Sequence, residues 1–448
     1  MIDPSIVRLN TFFPSSTYLR EWNLTGTARR DVRDNHGELI RKIAAELTVL
    51  LKNTNQTLPL RAPKSIAIFG NDAGPVTEGP LNQANFEFGT LAVGGGSGAA
   101  LFTSLASPLE AIKKRASQDG ALVETWLNNT QVIGRDPNGW GSTPLPNEPE
   151  VCLVFVKGWA SEAVDRESLE LDWQGNELIE TVATFCPNTV VVTHSAGINV
   201  MPFADHENVT AILVAHYPGQ ESGNSIVDIL YSDVNPSGHL PYTIAYEASD
   251  YNGPIVTDIR TSGKDDWQSY FDEKLEIDYR YFDAQNIDVL YEFGFGLSYT
   301  TFEINGLTVE SINQESVITS RPEECETLPG GNPVLWEVLY TIKTTVHNTG
   351  PVRGSVVPQL YVTFPDSTPE GTPPLQLRGF EKIELAPGER SQAKFELMRR
   401  DLSYRDIVSQ QWLIPEGEFV FSVGFSSRDI VEVVQHTVIE IDSALGSY

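Results

Sequence analysis

Few side chains in this sequence have types and spacing suited to chemistry. His194-Ser195 ends the apolar run VVVTHSAG and invites a serine-hydrolase reading. A nucleophile elbow needs G-x-S-x-G after a strand. Val191 and Val192 precede this serine, and GQESG (219–223) places Ser222 wrongly, so a serine triad is not expected. Gly94-x-Gly96-x-x-Ala99 has part of a dinucleotide fingerprint. It lacks a strand directly before it and an acidic partner after a second strand, so no nucleotide cofactor is expected. No Cys/His cluster has metal-ligand spacing, so no metal is expected either. Glu162, Asp165 and Arg166 follow the strand-like run VCLVFV closely. Asp165 and Arg166 form a surface ion pair or orient Glu162, and Glu162 by itself reads as a solvated loop acid. Asp72 follows an apolar run and reads as a cap of the helix or loop beyond it.

The elements that must position these groups are legible. Residues 35–53, NHGELIRKIAAELTVLLKN, repeat apolar side chains at Leu39, Ile43, Leu47 and Leu50, which predicts a helix. Ser65–Gly70, Val151–Val156, Thr189–Thr193 and Ala211–Val214 are short apolar runs that read as buried strands. Helices are predicted from Ser107-Pro108 onward, over Gly175–Phe185 and over Ser222–Leu230. Alternation of strands and helices predicts an α/β sandwich, a mostly parallel sheet with flanking helices. After about residue 306 the pattern becomes all-β, with Val334–Thr345, Val356–Phe364 and Phe419–Val423 as strands and LAPGE (385–389) as a turn. That predicts a following fibronectin-III/immunoglobulin-like sandwich. The expected organisation is 1–55 an N-terminal linker and first helix, 56–250 the α/β domain, 251–305 a connector and 306–448 the all-β domain.

The 448 residues carry a formal net charge of −29. That opposes nucleic-acid and anionic-membrane partners, which require basic patches. No run of about 18 apolar residues exists to span a bilayer. The N-terminus lacks the pattern of a signal peptide. A cytoplasmic location follows if this is the whole gene product, and an extracellular one if it is a fragment of a secreted protein. Sequons at Asn23, Asn55, Asn128 and Asn208 allow N-glycosylation only in the secretory pathway. Cys152 and Cys186 lie in apolar strand-like surroundings and read by default as buried thiols, although they permit one disulfide.

Several long, ordered segments resemble glycoside hydrolase family 3, especially its fungal β-glucosidases. They are IAIFGNDAG (66–74), GTLAVGGGSGAA (89–100), YPGQESGNSIVDILYSDVNPSGHLPYTI (217–244), DYRYFDAQNIDVLYEFGFGLSYTTF (278–302) and LRGFEKIELAPGE (377–389). The resemblance covers nearly the whole chain. It implies retaining exo-glycosidase chemistry on a glycoside or other small-molecule substrate. Two carboxylates roughly 5–5.5 Å apart are then needed, one a nucleophile and one an acid/base. The family's acid/base segment maps to VFVKGWASEAVDRESLELD (154–172), which makes Glu162 the general acid/base candidate. Asp165, Arg166 and His194 become supporting residues, the last from its match to a strand end beside the family's site. Ala163 and Val164 stand where the family shows Gly and Tyr. Gly95, or Val93 in a shifted match, stands where it shows Trp.

The family's nucleophile lies in a barrel of about 250 residues. Residues 1–34 are too few for one, and Leu171-Asp172-Trp173 and Asp265-Asp266-Trp267 fall in segments that match other parts of the family. The resemblance therefore implies a chain incomplete for hydrolysis alone. Three expectations follow: a half whose barrel is a separate chain, a barrel-less homologue recruited for non-hydrolytic chemistry in a specialised pathway, or an inactive scaffold or carbohydrate-binding protein. The barrel-facing surface needs cover, which a partner chain or a homo-oligomer would supply.

Overall fold

The computed structural model describes residues 33–76, 86–96, 99, 102, 104–134, 148–162, 164, 166–253, 255, 270–312, 318–326 and 328–438. Its first half is a six-stranded sheet. The strands are β1 (Val49–Asn53), β2 (Ser65–Phe69), β3 (Leu122–Trp126), β4 (Val151–Gly158), β5 (Thr189–Ser195) and β6 (Val209–Val214), in the order β1-β6-β5-β4-β2-β3. All neighbours run parallel except β1, which is antiparallel to β6. Every residue of β4, β5 and β6 is buried, which is why these strands read as unbroken apolar runs rather than alternating ones.

Helices cover both faces: α1 (His36–Leu47), α2 (Pro108–Asp119), α3 (Asn129–Ile133), α4 (Gly175–Phe185) and α5 (Ser222–Leu230). The start of α2 follows from its sequence. Ser107 and Glu110 form a reciprocal capping box, Pro108 occupies the first turn, and Gly120 closes the helix in a left-handed conformation. One apolar layer joins α2 and α5 to the sheet through Ile112, Ile226 and Ile229. The opposite layer buries Leu178, Ile179 and Val182 of α4.

Two expectations need correction. The helix predicted over 35–53 ends at Leu47, and 49–53 forms the edge strand β1. Leu50 is buried in the sheet, whereas Leu39 and Ile43, expected on the buried stripe, are more than half exposed. Ala44 and Ala45 form the packed face instead, because small side chains let α1 approach α5 closely. The edge of β1 is not bare. Leu297 of the connector donates its backbone N–H to the Leu50 carbonyl, and Gly238, beyond α5, donates to that of Thr48, so these two segments cover it. The second correction concerns Cys152 and Cys186, which are joined as a disulfide with Cα atoms 6.3 Å apart, tying the start of β4 to the end of α4.

The connector contains α6 (Tyr279–Ala284). Beyond it lie β7 (Phe302–Ser311), β8 (Val338–Asn348), β9 (Gly354–Val356), β10 (Gln359–Thr363), β11 (Gln376–Phe380), β12 (Ile383–Leu385), β13 (Arg390–Met398), β14 (Tyr404–Asp406), β15 (Gln411–Leu413), β16 (Glu418–Gly424) and β17 (Ile430–Thr437). Sheets β11-β10-β16-β17 and β13-β8-β7 are antiparallel and enclose Leu360, Val362, Phe395, Phe419 and Phe421. The fold class is therefore α/β followed by an all-β sandwich. Among the described residues no helix is long and apolar enough to cross a membrane.

Candidate active site

The C-terminal ends of β2, β4, β5 and β6 converge, as they must in a parallel sheet, and it is there that the polar residues gather. The loop leaving β4 carries Glu162 and returns to its own stem at Asp172. Asp172 donates its backbone N–H to the Lys157 carbonyl at 2.9 Å. Its carboxylate accepts the Trp159 N–H at 2.6 Å. Burial raises the Asp172 carboxyl above its usual range, opposed by that hydrogen bond and by the positive Arg166 and Lys157.

The other side of the Glu162 loop leans on the glycine-rich segment. Gly95 donates its N–H to the Ala160 carbonyl at 3.1 Å and pairs in register with Ser161. A Cβ on Gly95 would stand 2.4 Å from Ser161 Oγ, and one on Gly96, where φ is +94°, would stand 2.4 Å from Glu162 Cβ. That is the physical reason for glycine at 95 where the resemblance expects a large aromatic. In this packing the space belongs to the side chains of Ser161 and Glu162. Glu162 itself is exposed, as is Val164.

His194, at the end of β5, is fully buried, and its Nδ1 meets the Asp72 carboxylate in a short contact. Asp72 is buried too. Its other oxygen accepts the Leu91 N–H at 2.7 Å and lies 4.0 Å from Lys157 Nζ. Asp72 thus ties the glycine-rich segment to β5 and caps no helix, contrary to expectation. Lys157 donates to the Gly89 carbonyl at 2.7 Å and stands over the Trp173 ring. Burial lowers the Lys157 ammonium to about 8, against the stabilising charge of Asp72. An isolated buried charge is costly, and this arrangement compensates one ammonium with one carboxylate and a carbonyl.

Arg166 is fixed by backbone carbonyls. It donates to the carbonyls of Ile198 at 2.6 Å and Glu170 at 3.3 Å, pinning the loop base to the turn after β5. Asp165, Ala163, Asp265-Asp266-Trp267, Asn23 and the stretch 1–32 lie outside the described residues.

Sequence reasoning missed Lys157, Trp159 and His216, and weighed Asp172 only as a nucleophile look-alike. His216 follows β6 with φ at +51°, and its Nε2 meets the Tyr242 hydroxyl at 3.1 Å. Burial, then the neighbouring His194, lowers its imidazole to about 4. A signal existed for Lys157, a lone cation ending an otherwise apolar strand. The others depend on loop closure, which no local pattern encodes.

Residues 48–299 match the model of the glycosyl hydrolase family 3 C-terminal domain, and 356–427 match that of a fibronectin type III-like domain. The chain belongs to glycoside hydrolase family 3. It is 64% identical to the probable beta-glucosidase G of Aspergillus flavus over 97% of its own length and 53% of the relative's. The probable beta-glucosidase L of Neosartorya fischeri is 43% identical over 92% of this chain and 54% of its own length. Among solved structures, the beta-D-glucoside glucohydrolase from Trichoderma reesei superposes with a TM-score of 0.82 at 37% identity, covering 94% of this chain and 58% of that one. The family 3 chain described here therefore spans about half the length of the curated relatives it matches.

Proposed function

We propose that this chain is the acid/base half of a β-glucosidase. In this reading Glu162 protonates the departing glycosidic oxygen and then deprotonates the attacking water, while the nucleophilic carboxylate comes from a barrel outside these 448 residues. The observation that carries it is the placement of Glu162. It stands on the loop leaving β4, at the carboxyl end of the sheet, seated on Gly95 and Gly96 and closed at its base by Asp172. Asp72, Lys157, Arg166 and His194 act through the loops they fix, not on substrate.

The same reading accounts for a mostly solvent-facing Glu162, since a general acid needs a raised pKa and an apolar wall against it would supply one. A docked barrel would provide that wall. The test is hydrolysis of an aryl β-glucoside. The chain alone should show none, and adding the barrel half of a relative should restore turnover. Glu162→Gln should then lower kcat/KM by about two to four orders of magnitude, the usual scale of acid/base assistance. Turnover by the chain alone, or full activity of Glu162→Gln in the restored pair, would overturn the assignment.

A further inference from the structure

Three described sequons differ in what their asparagine does. Asn208 stands half-buried before β6 and donates Nδ2 to the Ala183 carbonyl of α4 at 2.8 Å. Asn128 is also half-buried and is fixed as the N-cap of α3, its side-chain oxygen accepting the Gln131 N–H at 3.1 Å. Asn55 is exposed, and among the described residues its amide makes no hydrogen bond.

Asn55 is presented by a rigid stem. Thr54 donates to the Thr210 carbonyl at 2.7 Å. Asn53 and Leu58 exchange side-chain to backbone bonds at 2.9 and 3.0 Å. The Thr54 carbonyl accepts the Thr57 N–H at 3.1 Å, and Asn55 and Gln56 have φ of +57° and +55°. Two consecutive left-handed residues make a tight mirror-image turn that carries Asn55 at its tip. Because β1 is antiparallel to β6, with Asn53 opposite Ala211, this turn lies at the sheet end where β4, β5 and β6 begin. The Glu162 loop leaves from the other end.

We propose that Asn55 carries an N-linked glycan, in preference to Asn128 and Asn208. A sugar on Nδ2 needs open solvent around that atom in the folded chain. At Asn208 it would displace a made hydrogen bond, and at Asn128 it would crowd a half-buried cap. In the transfer, Asn55 Nδ2 attacks the anomeric carbon of a lipid-diphosphate-linked oligosaccharide. The N–C bond forms as the C–O bond to the diphosphate breaks, the amide gives up one proton, and the lipid diphosphate leaves. The donor belongs to the secretory pathway, and the Cys152–Cys186 disulfide fits the oxidising conditions found there. The proposal does not rest on the glycosidase reading.

The experiment is site mapping of the protein secreted from a fungal cell. Enzymatic deglycosylation in heavy-oxygen water converts each glycan-bearing Asn to labelled Asp, which peptide mass spectrometry locates. Labelled Asp is expected at 55 and unlabelled Asn at 208, with 128 labelled less than 55. Thr57→Ala removes the sequon and leaves Asn55 in its turn, so it should lower the mass by one glycan. Unlabelled Asn55 in the secreted wild-type protein, or equal labelling at 208, overturns the proposal. The wild-type map decides alone if the variant is not secreted.

Discussion

The strand ends of the α/β sheet and the interior of the β-sandwich handle buried polar groups differently. In the sandwich, Gln359 is buried, yet its amide donates to the carbonyls of Gly294 and Phe425 and its oxygen accepts the Tyr361 hydroxyl. Asn348 does the same with Val352, Leu385, Thr300 and the Gly350 N–H. Both serve to fasten loops and the connector to a dry core. At the strand ends of the α/β sheet, His194 Nε2, both side-chain atoms of Asn71 and Trp159 Nε1 are buried with no hydrogen-bond partner among the described residues. His216, Trp173 and Gln174 there adopt left-handed backbone conformations. The described sandwich residues hold such atoms too, His347 Nδ1, Arg399 Nε and Ser427 Oγ, and a left-handed Gln410, so the difference lies in their clustering at adjacent strand ends of the α/β sheet. The sandwich is optimised for cohesion, and the strand ends for holding groups in place.

The comparison breaks first if the sandwich proves tolerant. Phe421→Ala removes a fully buried ring from between the two β-sheets and should cost about 3–5 kcal/mol in denaturant unfolding. The geometry around Glu162, followed by amide exchange of 159–162, should be unchanged in the fraction that remains folded. Loosening of that loop would show that the two regions are not separable.

A second test concerns pH. Burial holds His216 near 4 in the folded chain against 6.5 when unfolded. Between those values the unfolded chain binds the extra proton, so stability rises with pH across the window and is lost as pH falls from 6.5 toward 4. The full effect is on the order of 3 kcal/mol. His216→Asn, a residue type that tolerates positive φ, should flatten this part of the stability–pH curve. An unchanged curve would remove His216 from the strained set. His436 of the sandwich, against Tyr340 and Phe421, is also held below its usual value by burial, so it adds a slope of the same sign that His216→Asn leaves in place.

The smallest effect on stability, and the sharpest on geometry, should come from Gly96→Ala. A methyl group there meets Glu162 Cβ at 2.4 Å. The exposed loop can yield, so the unfolding free energy should change by about 1–2 kcal/mol, the scale of placing alanine at positive φ. Under the proposed acid/base role, displacing the Glu162 carboxylate by about an ångström should cost roughly 100-fold in turnover of the barrel-restored pair. Wild-type turnover in that pair would show that Glu162 does not depend on the glycine seat.

Much of this protein was legible as sequence. Unbroken apolar runs separated by helical periods determined a mostly parallel α/β sheet, because only strands buried on both faces exclude polar residues so completely. Alternation and turns after residue 306 determined the sandwich. The long motifs from 217 to 302 pointed to the family, and the match of 154–172 to the family's acid/base segment nominated Glu162. Tertiary structure decided what these patterns do not encode. Whether Val49–Asn53 continued a helix or joined a sheet depended on a distant strand, β6, offering its edge. Whether Cys152 met Cys186 depended on how α4 packs across β4. Whether Asp72 capped a helix or joined His194 and Lys157 depended on three strand ends converging, which brings together side chains 85 and more residues apart. Local pattern reports what each segment can become, and long-range packing selects which of those outcomes positions Glu162.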